Sequence, residues 1–178
     1  MTELHTARLV LRRAVPDDLA ALHSVFSDPR AMTYWTHGPH ESVERTREWL
    51  DAMIDSPPSE SDDFVVTLDG RAIGKMGAWR LPEFGFILAP DHWGKGFASE
   101  AMTTFLGHIF ARPDVDHLIA DVDPRNRASL ALLERHGFAE SGRAAGTWDT
   151  HIGLCDSIYL RLDRDTWLGR QAGVRHQA

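Results

Sequence analysis

The chain has 178 residues, of which 43% are hydrophobic and 25% charged, and its formal net charge is −7. These values are typical of one soluble globular domain, and the acidic balance argues against indiscriminate nucleic-acid binding, because phosphate-backbone binders generally present a basic face. The single cysteine excludes an internal disulfide, and neither a signal peptide nor an apolar run of roughly 18 residues is present. We therefore expect residues 1–178 to form one cytoplasmic domain without membrane contact.

Apolar periodicity and turn residues predict alternating strands and helices. A hairpin is predicted around Asp69-Gly70, because glycine accepts the positive φ of a tight turn between two apolar runs. Predicted strands cover residues 10–13, 64–68, 72–79, 84–88, 118–122 and 152–162. Predicted helices start at Pro16, run over 42–55, and begin again near residues 97 and 126, whereas 169–178 is expected to be a loose tail. The sequence therefore predicts an α/β fold in which helices flank one sheet.

The most informative segment is 93–100, WGKGFASE, which joins a predicted strand to a predicted helix through Gly94 and Gly96. Glycines let backbone N–H groups converge on a ligand, and a helix start adds unpaired N–H groups and a positive dipole end. It is not a Walker loop, because Lys95 is followed by glycine, and Ser99 fits a dinucleotide fingerprint poorly. The segment predicts a phosphate cradle, with an ordinary glycine-rich turn as the alternative.

A second constellation about thirty residues downstream contains Asn126, Ser129 and Gly137-Phe138. Together with the first, it resembles the GNAT acyltransferase superfamily. There, a loop of the form Arg/Gln-x-x-Gly-x-Gly/Ala holds the pyrophosphate of acetyl-CoA, and Trp93, Gly96 and Ala98 fall on its first, fourth and sixth positions, with Trp93 departing from Arg/Gln. The Trp-Gly-Lys-Gly-aromatic-Ala run followed by Glu resembles the RimJ/RimL-type branch, the N-terminal acetyltransferases of ribosomal proteins and their relatives.

The resemblance implies a GNAT-like fold, a single mixed, mostly antiparallel twisted sheet flanked by helices, with acetyl-CoA as co-substrate and no metal. It places the pantetheine arm along a strand whose main-chain groups pair with the cofactor, and an N–H near Leu88 would polarise the thioester carbonyl. The cofactor-binding residues that it implies are Phe86, Ile87, Leu88, Trp93, Gly94, Lys95, Gly96, Phe97, Ala98, Ser99, Asn126 and Ser129.

The residue expected to protonate the leaving thiolate differs from the common GNAT pattern. Many GNAT members use a tyrosine at the position of Leu133, and a leucine cannot donate a proton. The RimJ/RimL-type branch instead places a serine at Ser129, so we assign it a catalytic role in which its hydroxyl stabilises the thiolate or relays a water proton. The alternative is that Asn126 and Ser129 only satisfy backbone groups at a helix start.

The general base is not fixed by any motif. Ribosomal-protein acetyltransferases carry a glutamate before the last hairpin, and Trp148 occupies that place. Candidate bases are Asp149 and Glu83, followed by His151 and Asp156. A terminal amine with a pKa of about 8 is neutral often enough to react with only a water relay. Cys155 is a poor candidate for a covalent nucleophile, because no paired base accompanies it.

The acceptor pocket is expected between the first two helices and the last hairpin. Tyr34, Trp35 and His37, in an aromatic and polar loop, are predicted to bind substrate together with Trp148. His37 and His40 lack the further ligands of a zinc site, so no metal is expected.

We therefore expect a monomeric or homodimeric N-acetyltransferase that moves an acetyl group from acetyl-CoA to a primary amine by direct attack in a ternary complex. The expected acceptor is a protein or peptide N-terminal α-amine. The first alternative is a small-molecule amine, such as a polyamine, amino sugar, amino acid or drug-like amine. The second is a non-catalytic module that binds acetyl-CoA without turning it over.

Overall fold

The computed structural model describes residues 2–175, which contain one eight-stranded sheet flanked by helices. The strands are β1 (Glu3–His5), β2 (Leu9–Arg12), β3 (Asp62–Leu68), β4 (Arg71–Arg80), β5 (Glu83–Leu88), β6 (His117–Val122), β7 (Ala139–Thr150) and β8 (Gly153–Asp163). The helices are α1 (Leu19–Phe26), α2 (Val43–Asp55), α3 (Phe97–Ile109), α4 (Arg127–Arg135) and α5 (Arg164–Arg175). None of the helices in this range is both long and apolar enough to cross a membrane.

The strands lie in the order β1-β2-β3-β4-β5-β6-β8-β7. All neighbouring pairs are antiparallel except β5 and β6, which run parallel and are paired only where Glu83 lies opposite Ile119. Past that point the two strands diverge, and the edge of β5 that faces β6 keeps its main-chain groups free of the ladder. A cleft therefore opens in the middle of the sheet.

Two apolar clusters cover the two faces of the sheet. Neighbouring residues of a strand point to opposite faces, so Phe64 packs in the cluster beneath α3 and α4 while Val65 packs beneath α1 and α2. This double coverage explains why β3 is buried at six consecutive residues, without alternation between buried and exposed positions. The larger cluster includes Leu9, Phe64, Met76, Phe84, Phe105 and Leu118, and the smaller includes Leu22, Phe26, Met32, Leu50, Val65 and Ile87.

The predicted mixed α/β sheet is confirmed, and so are the hairpin around Asp69-Gly70 and the helices that follow residues 42, 96 and 126. The segment at Pro16 forms a single 3₁₀ turn, Pro16–Asp18, before α1 begins. Strand β7 was not predicted, because it lies at the edge of the sheet and is almost entirely exposed, so its sequence carries no alternation of apolar and polar residues.

The expectation of a loose tail at 169–178 is wrong for residues 169–175, which belong to α5. Trp167 is buried in the larger cluster, and the Arg170 guanidinium donates a 2.9 Å hydrogen bond to the carbonyl of Arg135 at the end of α4. These two contacts dock α5 on the domain. Residues 176–178, the rest of the predicted tail, lie outside the described range.

Candidate active site

A cavity of about 670 Å³ occupies the place where β5 and β6 diverge. Its walls come from the connection between α1 and α2, from α2, from strands β4, β5, β6, β7 and β8, and from the start of α4. Eight aromatic residues line it, and they include Tyr34 and Tyr159, the two tyrosines of the chain. Segments distant in sequence thus share one cavity.

The open edge of β5 presents main-chain groups to the cleft. Along a strand, alternate residues direct both N–H and C=O to the same neighbour. Because the N–H of Ala89 donates to the carbonyl of Ile73 in β4, the main-chain groups of Leu88 and Phe86 point away from β4. The indole N–H of Trp93 donates to the carbonyl of Leu88 at 2.8 Å, which leaves the Leu88 N–H free for a ligand.

The predicted phosphate cradle is a tight turn at the start of α3. Gly94 and Gly96 have φ values of 70° and 82°, a left-handed conformation that favours glycine. Gly96 is the N-cap residue and no side chain caps α3, so the first-turn N–H groups of the helix keep no partner from the described chain. The Lys95 ammonium is turned back onto the carbonyl of Asp91 at 2.7 Å. The cradle therefore offers backbone N–H groups and a helix dipole to an anion.

A clamp from the N-terminal segment holds this turn in place. One carboxylate oxygen of Glu100 accepts hydrogen bonds from the Thr6 hydroxyl at 2.5 Å and the Arg8 N–H at 2.8 Å, and the other accepts from the Arg8 guanidinium at 2.7 Å. Burial by itself would raise the pKa of Glu100, but these hydrogen bonds outweigh it and lower the pKa. The same guanidinium donates to the carbonyl of Lys95 at 3.1 Å, so the clamp reaches the cradle itself.

Asn126 and Ser129 lie at the start of α4, and they differ in what their side chains do. The Asn126 side-chain oxygen accepts a 3.1 Å hydrogen bond from the Ser129 N–H, which is an N-cap interaction. The Ser129 hydroxyl lines the cavity and has no hydrogen-bond partner within residues 2–175. Leu133, one turn later, is buried and also lines the cavity. The capping alternative therefore accounts for Asn126 and leaves the Ser129 hydroxyl free.

The two leading candidate bases from the sequence are Asp149 and Glu83, and the structure places only Glu83 at the cavity. Glu83 lines the wall and forms a 2.7 Å ion pair with Arg80. Asp149 is exposed and is not among the lining residues, whereas Trp148 and Thr150 on either side of it are. Side chains alternate between the two faces of a strand, so Asp149 lies on the face of β7 opposite to the cavity.

Asp121 is a carboxylate at the cavity that sequence reasoning missed. Its side chain accepts a 2.9 Å hydrogen bond from the indole N–H of Trp148, and both residues line the cavity. No local signal marks a single aspartate in β6, because its neighbour Trp148 comes from a strand that was not predicted. Asp156 also lines the cavity, and its carboxylate accepts a 2.8 Å hydrogen bond from the Gly146 N–H.

The aromatic loop predicted to bind substrate does reach the cavity. Tyr34, Trp35 and His37 line it, and so do Trp49 and Trp79, two tryptophans that were not predicted from the sequence. Trp49 comes from α2, where its spacing resembles that of an ordinary core residue. Within residues 2–175, no group of three or more His, Cys, Asp or Glu side chains is arranged to hold a metal ion.

His40 anchors the end of that loop beneath the cavity wall. Its ring is buried, stacks on Phe26 at a centroid distance of 5.1 Å, and places Nδ1 2.9 Å from the Thr46 hydroxyl. Burial, together with the neighbouring His37, lowers the pKa of His40 to about 4. His40 is therefore a neutral structural residue at neutral pH.

A buried ion pair supports the floor of the same region. The Lys75 ammonium lies 2.8 Å from an Asp63 carboxylate oxygen, and both side chains are almost fully buried. Burial raises the pKa of Asp63 against the opposing effect of Lys75. Lys75 lines the cavity and stands 5.5 Å from the ring centre of Trp49, so the pair positions an aromatic wall.

Cys155 lines the cavity, but its thiol is not activated. Burial, followed by the charge of Asp123, raises the pKa of Cys155. A thiol that holds its proton is a weak nucleophile, which argues against an acetyl-cysteine intermediate.

Comparison with known proteins gives consistent matches to acetyltransferases. The family model described as acetyltransferase (GNAT) domain matches residues 8–139. The chain is 30% identical to the uncharacterized N-acetyltransferase p20 of Bacillus licheniformis over 80% of this chain and 85% of that protein. It is 28% identical to the spermidine N(1)-acetyltransferase of Vibrio cholerae over 76% of this chain and 82% of that protein.

Solved structures agree with this relationship. The spermidine N-acetyltransferase of Vibrio cholerae in complex with CoA and spermine has a TM-score of 0.79 at 25% identity, covering 91% of this chain and 99% of that chain. RimL, a ribosomal L7/L12 α-N-protein acetyltransferase solved with CoA, has a TM-score of 0.82 at 18% identity over 93% of this chain and 99% of that chain, which shows the shared fold alone. These matches include more than one branch, so they do not single out the RimJ/RimL type.

The family model covers well over half of the chain, and the glycine cradle, the cofactor-side helix and the β4, β5 and β6 walls of the cleft lie within the matched residues. The chain belongs to the GNAT family and is an acetyl-CoA-dependent N-acetyltransferase.

Proposed function

We propose that this enzyme transfers the acetyl group directly to a small-molecule primary amine, bound as its ammonium ion in the aromatic end of the cavity. The observation that carries the proposal is the cavity lining, which combines the carboxylate of Asp121, bonded to Trp148, with the aromatic side chains of Tyr34, Trp35, Trp49 and Trp79. Aromatic faces attract ammonium groups, most strongly on tryptophan, and a carboxylate adds direct charge attraction. Such a wall favours a compact cation such as a polyamine or an arylalkylamine.

The donor end supports binding of acetyl-CoA in one orientation. The pyrophosphate would lie at Gly94, Lys95 and Gly96, with the first turn of α3 supplying N–H groups. The pantetheine arm would pair with the free main-chain groups of Phe86 and Leu88, as an added strand does. Both elements lead toward the cavity, so the thioester would reach the point where β5 and β6 diverge.

The transfer needs a neutral amine, a donor for the oxyanion and a partner for the thiolate. The free N–H of Leu88 would stabilise the oxyanion that forms when nitrogen attacks the thioester carbonyl. As the carbon–sulfur bond breaks, the Ser129 hydroxyl would hydrogen-bond the sulfur and relay a proton to it. No covalent acetyl-enzyme is required, and burial, which raises the pKa of the Cys155 thiol, disfavours one.

Two observations favour a small molecule over a peptide N-terminus. Trp148 stands where ribosomal-protein acetyltransferases carry a glutamate, and the relatives that the chain resembles include the spermidine acetyltransferases of Vibrio cholerae and Escherichia coli. The other acceptor class, a peptide N-terminus, is distinguished by the experiment below.

Thiol release from acetyl-CoA, measured with spermidine, phenethylamine, glucosamine and a seryl peptide, tests this proposal, with CoA affinity measured by calorimetry in parallel. We expect turnover with spermidine or phenethylamine at least tenfold above the peptide. Turnover with the peptide alone would overturn the acceptor class. CoA binding without turnover of any amine would overturn the catalytic proposal, and loss of CoA binding as well would overturn the cradle.

A further inference from the structure

We propose that Asp121 takes the proton from the attacking ammonium group, and that Trp148 is the positioning residue that holds its carboxylate in place. This inference rests on the proposed function. The indole of Trp148, on edge strand β7, reaches across β8 and donates a 2.9 Å hydrogen bond to Oδ2 of Asp121 on β6. The other oxygen, Oδ1, has no hydrogen-bond partner within residues 2–175, so it is free to accept a proton.

Four carboxylates line the cavity, and their partners distinguish them. Glu83 is paired with Arg80, and Asp123 is bound by the Arg125 guanidinium through both oxygens at 2.5 to 3.1 Å. The hydrogen bond from Arg125 lowers the pKa of Asp123, which makes it a weaker base.

Asp121 and Asp156 have no arginine or lysine partner among the described residues. Asp156 is bonded to the N–H of Gly146, where β7 is irregular against β8, so it already has a structural task. Among the described residues, the side chain of Asp121 bonds only that of Trp148. Among the four, Asp121 is the carboxylate available to a substrate.

The space in front of Asp121 is open toward β5. Glu83 and Ile119 lie opposite each other in the parallel pair, and two residues further along each strand, on the same face, are Gly85 and Asp121. A Cβ built on Gly85 would meet no atom within 4 Å. An acceptor nitrogen in this gap would lie between the carboxylate and the free main-chain edge at Phe86.

The proton balance gives Asp121 a defined task. An ammonium group loses two protons on becoming an amide. The first passes from nitrogen to Asp121, directly or through one water, and then to solvent. The freed nitrogen pair attacks the thioester carbon, the carbon–sulfur bond breaks, and the second proton ends on the CoA sulfur. The other titratable or charged groups of the cavity are Tyr34 and His37 between α1 and α2, Lys75 and Arg80 on β4, Glu83 on β5, Asp123 with its partner Arg125 after β6, and Cys155, Asp156 and Tyr159 on β8.

The pH profile of Asp121→Asn tests the role, because asparagine keeps the size and can still accept the Trp148 hydrogen bond. Spermidine and phenethylamine are the probes, and kcat/KM is measured from pH 6 to 9. An alkylamine, with a pKa of about 10, is protonated over this range, and the wild type binds this form and removes its proton on the enzyme, so the wild-type profile should be flat. The variant can use only amine that is already neutral in solution, and this fraction increases about tenfold per pH unit. Its kcat/KM should therefore rise about tenfold per pH unit and lie about 100- to 1,000-fold below wild type at pH 7.

Two further variants separate chemistry from folding. Trp148→Phe keeps the ring but loses the donor, so we expect a flat profile lowered about tenfold. Asp51→Asn removes an exposed carboxylate of α2, outside the cavity, and should stay within twofold of wild type. Parallel pH profiles for wild type and Asp121→Asn would overturn the role of Asp121 and leave the proposed function standing. Absence of wild-type turnover with both probes would overturn the proposed function, and this proposal with it.

Discussion

The proposed donor and acceptor ends of the cleft are built in different ways. The donor end uses two short continuous segments, the turn at Gly94 and Gly96 and the start of α4, and it offers main-chain N–H groups. The acceptor end uses side chains from two helical regions and five strands, and it offers aromatic faces and carboxylates. A backbone cradle depends on local sequence, whereas a side-chain wall depends on how distant elements come together. The donor can therefore be identified from a motif and the acceptor cannot.

The two ends also differ in the charge that they favour. Unpaired N–H groups and the positive end of the α3 dipole attract phosphates, while Asp121 and the tryptophans attract an ammonium group. This difference fixes the direction in which the two substrates enter. It also means that a mutation at one end should leave binding at the other nearly intact.

The largest expected effect on ligand binding is at the donor end. Gly96→Asp puts a side chain where φ is 82°, which costs roughly 1–2 kcal/mol, and sets a negative charge against the phosphates. We expect CoA affinity to fall about 100-fold by calorimetry. Gly107→Asp, an exposed position on the same helix where a Cβ would meet nothing within 4 Å, is the matched control and should change affinity less than twofold. Equal affinities for both variants would remove the cradle from the donor site.

The acceptor end should be the acid-sensitive one. The folded-state pKa of His40 is lowered to about 4 from 6.5, so the unfolded chain binds the extra proton, and stability is lost as pH falls from 6.5 toward 4. Between pH 7 and 4.5 this amounts to on the order of 2–3 kcal/mol in the free energy of unfolding.

His40→Phe isolates this contribution, because it keeps a ring against Phe26 and removes the titrating group. Urea unfolding at both pH values should show a smaller acid loss in the variant by that amount. The lost contact with Thr46 affects both pH values alike and cancels in the difference. An identical acid loss in variant and wild type would contradict the assignment.

A smaller effect should separate binding from chemistry at the donor end. Ser129→Ala removes a hydroxyl that has no partner in the described chain, so folding and CoA affinity should be unchanged. We expect kcat to fall about tenfold, because the thiolate loses one hydrogen bond. If kcat is unaffected, Tyr159→Phe is the next variant, since that phenol also lines the cavity.

The smallest effect is expected for Cys155→Ala. Because burial raises the pKa of the thiol, Cys155 should not carry the acetyl group, and the variant should retain turnover within about threefold. Intact-mass measurement of the wild type after mixing with acetyl-CoA should show no acetyl adduct. A stable adduct that disappears in the variant would favour a covalent route.

The contrast between the two ends also explains what could be predicted from the sequence. The glycine cradle could be predicted because consecutive residues encode it. The free main-chain groups of β5 could be predicted because they depend on only one strand and its partner. Asp149 and Trp148 are neighbours, yet only Trp148 faces the cavity. Which of the two does so depends on the register of β7, and the sequence of β7 shows no alternation of apolar and polar residues from which that register could be predicted. The Lys75–Asp63 pair could be predicted only from the register of β3 on β4. The role of Asp121 could be predicted only once Trp148, two strands away in the sheet, is known to contact it.

Initial rates of thiol release, with acetyl-CoA and the accepted amine varied together, test the central claim that both substrates meet in one cleft for direct transfer. The account predicts double-reciprocal lines that intersect, because the two ends must be occupied before nitrogen attacks the thioester. Parallel lines would show that CoA leaves before the amine binds, and would contradict it.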